Sequence, residues 1–393
     1  MNDANIASPL KQVLFNFHDV ILLITVYLCL LFALLVFTRK GPKMQGALLA
    51  AFLVCHAAIP LDILISFGEA FSPWLAERAP NLFHVFGGAY WLDAPILLWY
   101  TRSLLYKDFR FKAYDLIFLL PFLYFLVNQF NYLLMTQFEQ TLAIAESSLV
   151  NTNVMDRIES YVRELIRFGF YAVCMIEVLR YRKRIRHEFS NLEKIDFLWL
   201  NTIVIGFMAL IVWQLLVMTS IEMNLSYNIR ADWETIGLAG NYATLGIISL
   251  LIFYSLSHSV VFEGIDREIF KGPEAKAKKA GFHDEDIDKL TQYMEQEKPY
   301  LNSDLNINEL AKLTRINHRQ LSAMMNQHFK KNFFEFVNCY RIEEAKVLLK
   351  SESHASANVL DIMYEVGFNS KATFNTFFKK ITDQTPSQYR KAE

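Results

Sequence analysis

Two hydrophobic patterns divide the chain. Up to about residue 262, apolar residues run on without interruption. Beyond residue 284 they recur every three or four positions between charged ones. Val20 to Thr38, Leu116 to Phe138, Phe197 to Ile221 and Thr235 to Phe262 contain no Asp, Glu, Lys or Arg. Met44 to Leu61 is uncharged as well and continues past Asp62 to Phe67, and Asn81 to Thr101 holds one charge, Asp93. A bilayer core needs ~20 apolar residues of helix, and each of these stretches supplies close to that. Glu159 to Arg182 is the weakest candidate, clean only from Phe168 to Ile176. The pattern predicts an all-α protein that opens with seven membrane-spanning helices.

Charge fixes the orientation. Lysine and arginine concentrate in cytoplasmic loops. With seven spans and the N-terminus outside, the inner loops hold Arg39, Lys40, Lys43, Arg102, Lys107, Arg110, Lys112, Arg180, Arg182, Lys183, Arg184, Arg186 and Lys194. The outer side holds only Lys11, Arg78, Arg157 and Arg230. Dropping the fifth span would merge an acidic outer loop with a strongly basic inner one. Seven spans also leave the C-terminal part in the cytoplasm. The first span is too long for a signal peptide and is followed by Arg39-Lys40. Composition agrees with a membrane half: of 393 residues, 53% are hydrophobic and 15% aromatic. The four cysteines are scattered, none in an outer loop, and show no metal-ligand spacing.

Residues 263–284 read as a linker. Gly272-Pro273 breaks any helix continuing from the last span, and Ala-Lys-Ala-Lys-Lys-Ala-Gly follows. The basic run 276–279 is a solvated segment or a contact with anionic lipid.

Helical periodicity begins again at Ile287, Leu290 and Met294. A short helix follows, capped by Asn306 or Asn308. After a break at Arg315-Ile316, Asn317 caps a second helix running to about Phe329. Phe333 to Lys350 is a long amphipathic helix carrying Phe336, Val337, Tyr340, Ala345 and Leu348. The motif then repeats: Val359 to Val366, a left-handed cap at Gly367, and Ser370 capping Lys371 to Ile381. Short helix, tight turn and second helix make a helix-turn-helix, whose second element enters the DNA major groove.

Segment Ile287 to Arg390 resembles the AraC/XylS-type DNA-binding domain. The matching residues are Leu310-Ala311, Leu321-Ser322, Phe333, Tyr340-Arg341, Ala345, Leu348-Leu349, Gly367-Phe368, Ser370, Phe374, Phe378-Lys379 and Thr385 to Arg390. Three positions depart from the family pattern. Lys330 and Asp383 stand where glycine is usual, so those turns must hold a side chain at positive φ or reshape. Met363 stands where alanine is usual. By position, the resemblance places His318, Arg319, Ser322 and Ala323 of the first reading helix, and Lys371, Ala372, Asn375 and Thr376 of the second, against the groove. Arg319 suits guanine and Asn375 adenine, each through paired hydrogen bonds. The alternative role for Arg319 is a phosphate contact alone.

Bulk charge speaks weakly for nucleic acid, since residues 284–393 are net −1. Distribution speaks more clearly. Leu310 to Phe334 contains Lys312, Arg315, Arg319, Lys330 and Lys331 and no acid, while Val366 to Thr382 contains Lys371, Lys379 and Lys380 and no acid. Modest, salt-sensitive affinity follows, with Lys330, Lys331, Lys379 and Lys380 on the phosphates.

Ionisable groups within the spans are costly and mark function by default. Asp62, His84, Asp93, Arg163, Glu164 and Arg167 either line an outward-facing polar pocket for a small ligand or lock helices together. Pro60, Pro95 and Pro121 are expected to kink their helices. Thr235 to Phe262 holds no lysine for a retinal Schiff base. There is no His-Glu-x-x-His, Gly-x-Ser-x-Gly, phosphate-binding glycine loop or kinase signature, so no enzyme class or cofactor is indicated.

The expected organisation is a seven-helix transmembrane sensor (1–262), a linker (263–284) and an AraC-type DNA-binding domain (285–393). The expected place is a bacterial inner membrane. Expected partners are promoter DNA, the bilayer, a small-molecule or membrane signal, RNA polymerase and a second copy of the chain. A membrane receptor or transporter whose C-terminal domain binds a protein is the alternative.

Overall fold

The computed structural model describes residues 15–38, 43–79, 82–83, 85–106, 109–135, 154–192, 198–229, 232–257 and 282–391. The described residues form fifteen α-helices and no strand. They fall into two compact units, residues 1–178 with 198–261, and residues 179–197 with 262–393.

The first unit holds α1 (Phe17–Thr38), α2 (Lys43–Phe67), the short α3 (Phe71–Arg78), α4 (Ala89–Leu105), α5 (Leu120–Met135), most of α6 (Val154–Ile185), α7 (Leu198–Tyr227) and α8 (Trp233–Ser257). Apart from α3, these helices stand where the seven apolar runs lie. Among the described residues, five stretches are long and apolar enough to cross a membrane: Phe17–Thr38, Met44–Phe67, Ala113–Phe130, Leu200–Tyr227 and Trp233–Phe253. Helix α1 packs on α2 and α8, α2 on α4, and α7 on α8. Leu22, Cys29 and Phe32 of α1 and Phe52 and Leu53 of α2 are buried between them. The outer faces are apolar too. Helix α1 turns Tyr27, Leu30, Leu34 and Phe37 outward, and α5 does so with Leu123, Tyr124, Val127 and Phe130. A surface of this kind is unfavourable in water and fits lipid. Pro60 and Pro95 lie inside α2 and α4. Pro121 is the second residue of α5, just where a 3-10 helix, Ala113–Leu119, passes into it.

The second unit joins the last turns of α6 and the residues after it to α9 (Asp284–Glu297), α10 (Ile307–Thr314), α11 (His318–Gln327), α12 (Phe333–Lys350), α13 (Val359–Glu365), α14 (Lys371–Thr382) and α15 (Pro386–Lys391). It has two cores. Ile287, Leu290, Met294, Leu310, Leu321, Met324, Phe336 and Val337 belong to the first. Ile342, Ala345, Leu349, Ile362, Phe368, Phe374 and Phe378 belong to the second. Helix α12 contributes its N-terminal half to one and its C-terminal half to the other, and so binds the two motifs together.

Candidate nucleic-acid interface

Local chemistry sets the boundaries of both reading heads. Asn306 Oδ1 accepts from Glu309 N–H (3.0 Å) and Asn317 Oδ1 from Arg319 N–H (2.9 Å). Asn358 Oδ1 accepts from Leu360 N–H (3.2 Å) and Ser370 Oγ from Thr373 N–H (3.2 Å). Each such cap contributes about 1 kcal/mol. Of the two asparagines expected to open α10, Asn306 is the cap. Between the helices of each motif the chain turns through left-handed backbone, at Arg315 (φ 55°) in the first and Gly367 (φ 89°) in the second. At Lys330 (φ 53°) and Asp383 (φ 57°) the turns hold a side chain at positive φ.

Helix α14 presents an open reading face: Lys371, Ala372, Thr376, Lys379 and Lys380 are exposed and Asn375 is half-buried. Lys380 Nζ also lies 3.6 Å from Glu335 on α12. The first head differs. Arg319, Lys330 and Lys331 are exposed and His318 is half-buried, but Ser322 is only 5% exposed and Ala323 0%. Of the four positions expected to face a groove there, two are shut off from solvent.

Arg341, one of the residues that carry the resemblance, organises this head together with Ser190 and Glu188, which the sequence did not single out. Arg341 is 1% exposed. Its Nε donates to Tyr300 O (2.7 Å), Nη1 to Ser190 O and Asn338 Oδ1 (both 3.1 Å), and Nη2 to Ser190 Oγ (3.1 Å) and Asn302 O (2.8 Å). Burial pushes its pKa down to about 10, against the pull of Asp304, so the fork stays charged at neutral pH. Ser190 Oγ donates to Leu305 O (2.6 Å), and Glu188, 4% exposed, sets its Oε2 3.1 Å from His318 Nε2.

In the first unit, four of the six predicted intramembrane groups meet. Arg167 holds Asp93 through Nη2 (2.7 Å) and Nε (3.2 Å), and Glu164 through Nη1 (2.6 Å). Arg163 Nε donates to Glu164 (3.2 Å), and Tyr171 OH donates to Asp93 (3.1 Å). His56, which the pattern did not flag, places Nε2 4.0 Å from Asp93. Asp93 and Glu164 are both fully buried, so these charges satisfy one another as a lock between α4 and α6. Of the six, Arg167 alone also lines a cavity of about 70 Å³, with His56, Tyr90, Phe207, Trp213, Gln214 and Asn241. Asp62 lies half-buried on α2. His84 lies outside the described residues.

Residues 310–392 match the family described as a helix-turn-helix domain. An "Uncharacterized HTH-type transcriptional regulator" of Staphylococcus aureus (strain COL) is 33% identical over 103 residues, covering 26% of this chain and 13% of that protein. A second, YdeC of Bacillus subtilis (strain 168), carries the same description and is 28% identical over 87 residues, covering 22% of this chain and 29% of its own. The chain thus spans well under a third of the curated relatives it matches. No solved structure matches it. The C-terminal part of this chain is a helix-turn-helix domain of the AraC type, joined to a unit of long apolar helices.

Proposed function

We propose that the protein is a membrane-bound, sequence-specific DNA-binding regulator of transcription. The observation that carries this reading is a pair of helix-turn-helix motifs with acid-free reading helices, on a chain that also holds five stretches able to cross a bilayer. Arg319 and Asn375 read bases, and Lys330, Lys331, Lys371, Lys379 and Lys380 neutralise phosphates. His318, Ala372 and Thr376 complete the two reading faces, and Ser322 and Ala323 join them only when their side of the first head is uncovered.

Helices α4 and α6 count as the third and fifth of seven spans. With the N-terminus outside a bacterial inner membrane, the inner-loop arginines and lysines and the DNA-reading unit lie in the cytoplasm. A stimulus taken up in the membrane or outside, a small molecule at the Arg167-lined cavity being the first candidate, changes access of the reading heads to a promoter. RNA polymerase and a second copy of the chain are the further partners.

Genome-wide DNA occupancy of the full chain, beside an Arg319→Ala, Asn375→Ala version, tests this. Each bidentate base contact discriminates by roughly 1–3 kcal/mol, so discrete sites should vanish in the double variant. Occupancy unchanged in that variant, with the protein in the membrane, would refute the assignment.

A further inference from the structure

We infer that residues Arg186 to Ser190, which follow α6, are a strap that competes with DNA for the first reading head. The inference rests on the DNA-binding reading above. The strap runs across the starts of three helices. Ile307 N–H, the first of α10, donates to Glu188 O (3.0 Å), and Phe334 N–H, in the first turn of α12, donates to Arg186 O (2.9 Å). His318, which opens α11, meets the Glu188 carboxylate at 3.1 Å. Ser190 N–H donates to Leu305 O (3.2 Å), so the strap pairs antiparallel with residues 305–307, and Phe189 is bridged to Asn306. Arg341 then clamps Ser190 from within the domain.

Unsatisfied N–H groups at helix starts are what such helices offer to phosphate, and the first helix of a helix-turn-helix crosses the DNA backbone. Here a main-chain carbonyl occupies the Ile307 donor, and a carboxylate occupies the His318 side chain. A DNA strand approaching this end must displace both, and meets the Glu188 charge as it does so.

The repeat supplies an internal comparison. In the second head Lys371, Ala372 and Thr376 are exposed and Asn375 is half-buried. In the first, Ser322, one turn beyond His318 on the same face, and Ala323 are buried. Two copies of one motif, one open and one with two of its four reading positions covered, indicate a chain held with a single head fully ready to read.

The Phe189–Asn306 bridge allows a direct test. Its flanking hydrogen bonds make it a non-hydrogen-bonded antiparallel pair, with Cα atoms about 4.5 Å apart, within the ~4.4–6.8 Å range that a disulfide accepts. The full chain carrying Phe189→Cys, Asn306→Cys and Cys339→Ser would be titrated with sheared host genomic DNA at low salt, oxidised and then reduced. The reduced form serves as the folding control. We expect the oxidised form to bind at least tenfold more weakly, with recovery on reduction. A Glu188→Gln chain, which keeps the main-chain bonds, should bind severalfold more tightly than the parent. Equal binding by the oxidised and reduced forms would overturn the strap and leave the DNA-binding reading standing. Binding by neither form would take down both.

Discussion

Replacing Arg341 with methionine would show how much the first reading head depends on one buried guanidinium. Methionine keeps the volume and removes all five donated hydrogen bonds. The carbonyls of Ser190, Tyr300 and Asn302 belong to the main chain and cannot be removed with it. Each buried acceptor left unpaired costs about 1–3 kcal/mol. Relief of the buried charge offsets part of that. Its depressed pKa of about 10 shows that burial disfavours the cation, so the net loss should be about 3–5 kcal/mol, toward the low end of what three orphaned carbonyls would cost together. Against a typical domain stability of about 5–15 kcal/mol, such a loss leaves the second unit barely folded. Arg341→Lys keeps the charge but not the planar fork, so it should lose a smaller share, about 2–3 kcal/mol. Tryptophan fluorescence would miss the event, because Trp74, Trp91, Trp99, Trp199, Trp213 and Trp233 all belong to the first unit. Pulse proteolysis of the full chain across a urea series, following fragments of residues 282–391, reads the second unit directly. A midpoint shift worth less than about 1 kcal/mol for the methionine variant would refute the reasoning.

Gly367→Ala should destabilise the second unit by about 2–4 kcal/mol, since φ is 89° and an added Cβ would sit 2.7 Å from Tyr300 O and 2.8 Å from Leu301 O. The same proteolysis assay checks it, and a neutral result would mean that the two turns can part at no cost. In the first unit, Arg167→Met leaves Asp93 buried without its cation and Glu164 with Arg163 as its remaining one, a loss of about 3–5 kcal/mol. The thermal midpoint followed by tryptophan emission should fall clearly, and restoring it with Asp93→Asn, Glu164→Gln in the same chain would confirm the charge as the cause. An unchanged midpoint in Arg167→Met alone would mean that the lock contributes nothing.

What could be read along the chain was what is local. Asn317 and Ser370 cap their helices through bonds two and three residues long, Lys330 and Asp383 take a left-handed turn expected of their positions, and both helix-turn-helix motifs follow from apolar spacing. Uncharged runs likewise marked the long helices of the first unit. Pairings across the chain were not visible. Asp93 and Arg167 could be flagged as costly in a span, but nothing in either neighbourhood says that they meet. Glu188 reaches His318 across 130 positions, and Ser190 reaches Arg341 across 151. The burial of Ser322 and Ala323 arises in the same way. The resemblance places them on the reading face, and only tertiary packing removes them from solvent.

Helix α12 is 18 residues long and gives one half to each core, so it acts as a gear as well as a tie. Inserting one residue at its middle would turn the second core by about 100° relative to the first and shift it by about 1.5 Å. The relative phase of the two heads therefore changes only in coarse steps. On the proposed function, substitutions on α11 or α14 would alter which bases are read, one position at a time, while the spacing between the two words stays put. A promoter whose words are slightly misplaced has to be accommodated by the twist and bend of the DNA, and selection for a new spacing would act on the operator before it could act on this protein.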